Sequence, residues 1–151
     1  MEISISGAKK SDAPILNDLL TKLIKEEKKH DDNVNDNIQI KSYYENIIDN
    51  DSSCILIARY QNDVVGYLYG SLFDQGDSYL KLTSVIDALY IENEFRNKGI
   101  GSALIETFKN WSLSKGVEII EIKVLNNNNS AINTYKKSGF IETKTIMSIE
   151  L

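Results

Sequence analysis

The hexapeptide Arg96-Asn97-Lys98-Gly99-Ile100-Gly101 joins two cations and two glycines at the mouth of an expected helix. Glycine accepts left-handed backbone and lets main-chain N–H groups approach a ligand closely. A helix beginning there adds unpaired amides and the positive end of its dipole, which together suit a phosphate. Just upstream, Val85 to Ile91 is an apolar strand interrupted by one acid, Asp87. A lone carboxylate in such a strand is costly to bury, so it implies a hydrogen-bonding partner or a facing cleft.

Several other chemistries fail on their residue requirements. A P-loop needs Gly-Lys-Ser/Thr at the helix start, whereas Gly101 is followed by Ser102 and Ala103. A dinucleotide fingerprint needs a third glycine or alanine where Leu104 stands. The single Cys54 and single His30 provide no metal cluster, and Cys54 has no histidine positioned to activate it. Glu92 and Glu94 fall in the polar link before the loop and read as surface residues.

Composition narrows the class further. With 151 residues, 42% hydrophobic and 26% charged, the chain reads as one globular domain spanning 1–151 with a buried core. A net charge of −5 disfavours broad nucleic-acid binding, which needs a basic face, and is compatible with a cationic substrate. No apolar run approaches the ~20 residues of a membrane span. The start, MEISISGAKKSD, lacks the basic-then-apolar pattern of a secretory signal, so the expected location is cytoplasmic.

The elements that must position the loop follow from periodicity. Glu2–Ser6 alternates as an opening strand, and Ile15, Leu16, Leu19, Leu20, Leu23 and Ile24 mark a helix running to about Lys28. A polar connection with Asp31, Asp32 and Asp36 leads to a second expected helix carrying Ile40, Tyr43, Tyr44, Ile47 and Ile48. Ser53–Tyr60 and Val64–Leu72 read as a hairpin, with Cys54 a small core residue. A strand from Tyr79 to Ile91 is long enough to imply a bulge. The helix after the glycines packs Ile100, Leu104, Phe108 and Trp111 and stops at Lys115–Gly116. Val117–Leu125 is expected as a strand, Ser130–Ser138 as a short helix capped by Asn128 or Asn129, and Phe140–Leu151 as one or two closing strands. The sum is an α/β (α+β) domain with a mixed sheet.

Two separated blocks carry a family resemblance. The Arg96-x-x-Gly99-x-Gly101 loop, placed between an apolar strand and Ala103-Leu104, resembles the acyl-CoA signature of the GNAT superfamily of N-acetyltransferases. Asn128-x-x-Ala131-x-x-x-Tyr135-x-x-x-Gly139-Phe140 is similar to that superfamily's second block, after the fifth strand. The resemblance covers essentially the whole chain. It implies a mixed, mostly antiparallel central sheet flanked by about four helices, with acetyl-CoA as cofactor.

The resemblance also distributes roles. The amides from about Arg96 to Gly101 (Asn97, Lys98, Gly99 and Ile100 between them), continuing to Ser102, would hold the pyrophosphate, with charge from Arg96 and Lys98. Leu89, Tyr90 and Ile91 would offer backbone groups to pantetheine and the acetyl carbonyl, and Asn128 either contacts pantetheine or only caps its helix. Tyr135 matches the general acid for the leaving thiolate. Asp87 is the first candidate for the base, with ordered water as the alternative. Asn93 stands where the family often has proline. The implied acceptor is a primary amine of a small cationic molecule, drawn by Asp31 to Asp36. A peptide amine or a non-catalytic acyl-CoA sensor are the rivals, and a homodimer is compatible with the family.

Overall fold

A computed structural model describes residues 1–151. Strands β1 (Ile3–Gly7), β2 (Ser53–Tyr60), β3 (Asp63–Leu72), β4 (Thr83–Ile91) and β5 (Ile119–Ile122) lie side by side in that order. The first four pair antiparallel and β5 joins β4 in parallel, as a mixed, mostly antiparallel sheet requires. Helices α1 (Ala13–Glu27), α2 (Ile100–Ser114) and α3 (Asn129–Lys137) cover it. Both faces are apolar because side chains alternate along each strand. On β2, Cys54, Leu56 and Ala58 pack with Ile100, Leu104, Ile105 and Phe108 of α2. Ile55 and Ile57 point the other way, onto Leu16 and Leu19 of α1. Gln61 and Asn62 both adopt positive φ (56° and 91°), the twist that a two-residue hairpin between β2 and β3 demands.

The expected bulge lies at the acid. Tyr69 pairs with Ala88 but the next β3 residue, Gly70, pairs with Ile86, so Asp87 is the extra residue of β4. Beyond this point Ile86 packs on the α2 side whereas Ala88 and Tyr90 pack on the α1 side. The bulge changes which face each side chain meets, and it coincides with the end of β5 pairing, which runs only from Thr83 to Ile86 of β4.

Gly70 makes this geometry feasible. A Cβ there would meet the ring of Phe108 and stand 2.9 Å from the carbonyl oxygen of Val85 on the adjoining strand. Gly70→Ala is therefore expected to cost about 1–3 kcal/mol by overpacking. At 2–4 °C per kcal/mol that is a fall in Tm of roughly 2–12 °C. Gly7→Ala, where a Cβ meets nothing within 4 Å, is the matched control. Equal melting curves for the two variants would refute the argument.

Four expectations are corrected. The second helix is absent: around Tyr43 only a single 3-10 turn, Tyr44–Asn46, forms. Its cause is Asn17, 2% exposed on α1, whose Oδ1 accepts from the amides of Tyr43 and Tyr44 at 3.2 Å. Asn17 Nδ2 donates to Glu45 and to the Lys41 carbonyl, so side-chain bonds replace helical ones. The fifth strand is cut to Ile119–Ile122, and the strand before the loop starts at Thr83 rather than Tyr79. Residues 141–151 form no strand; Ile146, Met147 and Ile149 stay more than 80% exposed. The alternation of that tail favours a strand, but no ladder pairs with it. No helix is long and apolar enough to cross a membrane.

Candidate active site

The glycine loop leaves β4 through a 3-10 turn, Asn93–Phe95, and enters α2 with Gly99 as N-cap at φ 81°. Asn97 is also left-handed, at φ 60°. These two positive-φ residues turn the main chain so that the amides of Asn97 through Ser102 donate to no acceptor in the protein. The first amide of the expected row is spent, since Arg96 N–H donates to Asn93 O at 3.3 Å. A row of free N–H groups at the start of a 15-residue helix is an anion cradle. Gly101 is informative in a different way. Its Cβ would meet nothing within 4 Å, so no protein atom requires glycine there. Space reserved beside the free amides fits an approaching phosphate.

Arg96 fastens the loop rather than projecting from it. Its Nη2 lies 2.7 Å from Glu26 Oε1, its Nε donates to Ile91 O at 2.8 Å, and its guanidinium covers the Tyr90 ring at 5.3 Å. One side chain thus ties α1, the end of β4 and the loop together. Lys98 is exposed and free of ion pairs, the flexible cation of the loop. Leu89 and Ile91 pack toward α2 and Tyr90 toward α1. From Asp87 to Ile91, β4 has β3 on one side and no strand on the other, so part of its backbone faces an opening.

Asp87, an exposed residue of β4, sits where that opening begins. Its Oδ2 accepts from Ser71 Oγ at 3.0 Å. Burial raises its pKa above the usual carboxylate range, with Ser71 and the charge of Lys123 pulling the other way. A cavity of about 270 Å³ lies in front of it, walled by Leu20 and Ile24 of α1, by Ile40, Tyr43 and Tyr44, and by Tyr69 and Ala88. Sequence reading missed the tyrosines as site residues. The only hint was Tyr67 and Tyr69 at strand spacing opposite the Tyr43-Tyr44 pair, which read equally well as core. Asp31, Asp32 and Asp36 do not line this cavity. They belong to a loop braced by Lys28, whose Nζ donates to Asp32 O and Val34 O.

Tyr135 comes from α3 and packs against the α2-side core, its ring edge-on to Phe140 at 6.1 Å. Burial pushes its phenol up to about 12, and Glu27 at the end of α1 adds to the shift. The group therefore stays protonated at physiological pH. Asn128 caps α3 through Oδ1, which accepts from Ala131 N at 3.3 Å. Cys54 is 8% exposed and its thiol is pushed up to about 11 by burial, which suits a core residue and not a nucleophile. Trp111 stacks on Phe108 at 5.4 Å and is likewise structural.

Comparisons with known proteins bear on the family and the fold. A family model described as acetyltransferase (GNAT) family covers residues 17–140. The streptothricin acetyltransferase of Escherichia coli is 34% identical over 79 residues, 48% of this chain and 45% of that protein. The chain spans less than half the length of the curated relatives it matches, 27% and 45% in two cases. Among solved structures, a mutant of the BH1408 protein from Bacillus halodurans superposes with a TM-score of 0.87 at 19% identity, covering 98% of this chain and 99% of that one. AAC(6')-Iy in complex with the bisubstrate analog CoA-S-monomethyl-acetylneamine superposes with a TM-score of 0.75 at 17% identity, covering 100% and 99%. At such identities the likeness concerns the fold.

Proposed function

Because the chain belongs to the acetyltransferase (GNAT) family, we propose that it moves an acetyl group from acetyl-CoA to the primary amine of a small molecule, by direct attack in a ternary complex. The observation that carries the cofactor assignment is the row of free amides from Asn97 to Ser102 beside the unhindered Gly101. In this reading those amides and Lys98 hold the pyrophosphate, while the unpaired edge of β4 from Asp87 to Ile91 pairs with the pantetheine arm. Asn128 stays chiefly a helix cap. Bound acetyl-CoA supplies an activated thioester.

The chain's own residues handle two protons. Asp87 takes one from the incoming amine in the cavity, and Tyr135 holds another at Oη for the departing sulfur. An acceptor amine, not a peptide, is supported by the cavity's small volume and by its position between α1 and the sheet. The bisubstrate analog bound by the structural relative AAC(6')-Iy joins CoA to an amine in the same sense.

The test couples binding to turnover. Acetyl-CoA at about 100 times its Kd should stabilise the protein by ~2.7 kcal/mol, and amine addition should release free thiol. Gly101→Ala should raise the stability of the free protein by about 0.5–1 kcal/mol, because glycine inside a helix is unfavourable. It should also weaken acetyl-CoA binding at least tenfold, about 1.4 kcal/mol. Stabilisation without thiol release from any amine would leave a sensor. Unchanged acetyl-CoA affinity in Gly101→Ala would remove the phosphate from this loop.

A further inference from the structure

The cavity in front of Asp87 carries more information than its existence. Tyr43, Tyr44 and Tyr69 meet there with ring centroids 5.0, 5.5 and 6.5 Å apart and interplanar angles of 77–81°, so the three rings stand nearly perpendicular like walls of a box. The Tyr44 hydroxyl is turned away into a buried 2.8 Å hydrogen bond with Tyr67, which locks that ring and leaves the cavity side apolar. Tyr44 is fully buried and stiffens the box from behind, so the rings a ligand reaches are those of Tyr69 and of Tyr43, 45% exposed at the entrance. Leu20 and Ile24 close the side toward α1. Asp87 is the single charged residue of the lining.

An aromatic box with one carboxylate recognises an organic cation by two additive means: the ring quadrupoles attract a positive charge, and the acid pairs with it. The remaining apolar wall rewards a hydrophobic body and penalises any further charge, because a second ammonium would lose water without gaining a partner. We propose that this cavity is the acceptor site and that it selects a monoamine with an apolar, ring-sized body over polyamines and aminoglycosides. The acidic loop from Asp31 to Asp36 then has no part in choosing the acceptor, since it stands outside the lining. This inference deepens the acetyltransferase reading and rests on it only for turnover, not for binding.

The experiment compares three primary amines, 2-phenylethylamine, spermidine and the aminoglycoside sisomicin, by kcat/KM for thiol release and separately by calorimetric Kd without acetyl-CoA. At least a tenfold preference for 2-phenylethylamine in both measurements is expected. Tyr43→Ser should reduce that preference about tenfold, whereas Tyr43→Phe, which keeps the ring, should retain it. The exposed position of Tyr43 on an irregular segment lets both variants fold, and a melting curve verifies it. Equal or better binding of spermidine or sisomicin overturns the proposal, as does an unchanged preference in Tyr43→Ser. Selective binding of 2-phenylethylamine without thiol release would instead overturn the acetyltransferase reading and leave the cation box standing.

Discussion

Asp87→Asn is expected to lower kcat/KM for a primary amine by about 10²–10⁴-fold, the usual worth of a general base, with acetyl-CoA affinity unchanged. A free alkylammonium has a pKa near 10.4 and a free carboxyl near 3.9, so proton transfer between them in water is steeply uphill. Partial burial narrows that gap from the acid's side, lifting Asp87 above its ordinary value. The bulge in β4 is what turns this carboxylate toward the tyrosines.

The sign of the pH effect follows from the direction of that shift. Asp87 binds its proton more tightly in the folded chain than in the unfolded one. Stability therefore falls as pH rises from the unfolded pKa through the folded one, and the ionised carboxylate remains a burden at neutral pH. Asp87→Asn should hold or raise Tm at pH 7 while activity collapses, which separates loss of chemistry from loss of fold. In the wild type the acid limb of kcat/KM should lie above the ordinary carboxylate range, and it should disappear in the variant. An unaltered limb would move the base elsewhere, to ordered water in the first instance.

The parts of this site that could be read from sequence are those built by neighbours in the chain. Gly99 and Gly101 announce a loop whose amides face outward, because a positive φ and an absent Cβ are properties of single residues. Asp87 was legible as an oddity of its strand, and the length of that strand announced the bulge. Asn128 and Gly139 bracket the short helix that carries Tyr135, and both are turn and cap signals of single residues. The illegible parts are made by residues far apart. Glu26 and Arg96 stand 70 positions from each other, and nothing local in either signals the ion pair that holds the loop. The irregular path of Ile40–Ile48 depends on Asn17, a polar residue that periodicity treats as an accident on a helix. Once that segment is not helical, Tyr43 and Tyr44 point where no helical wheel would put them, and the cation box forms. The closing tail fails for the converse reason. Its alternation is strand-like, yet a strand exists only where an edge accepts it.

Tyr135→Phe tests the other half of the chemistry and is expected to lower kcat about 100-fold without changing the KM for acetyl-CoA. The ring would still pack edge-on against Phe140 and the α2-side core, so the fold should be insensitive to the change. The phenolic hydroxyl makes no hydrogen bond within the protein whose loss would strand a partner. A shift in Tm within about 2 °C is thus expected, from a ΔΔG below ~0.5 kcal/mol. The modest size of the kinetic effect follows from acidity. With the phenol pushed up to about 12 and a thiol near 8.5, full proton transfer to a thiolate is uphill by more than three units, so Tyr135 chiefly donates a hydrogen bond to charge growing on sulfur. The same elevation keeps Tyr135 out of any alkaline limb below about pH 11. Measuring kcat, KM and Tm together decides the matter. A turnover equal to wild type would reduce Tyr135 to a packing residue, and a fall in Tm matching the fall in kcat would assign the loss to the fold rather than to the proton.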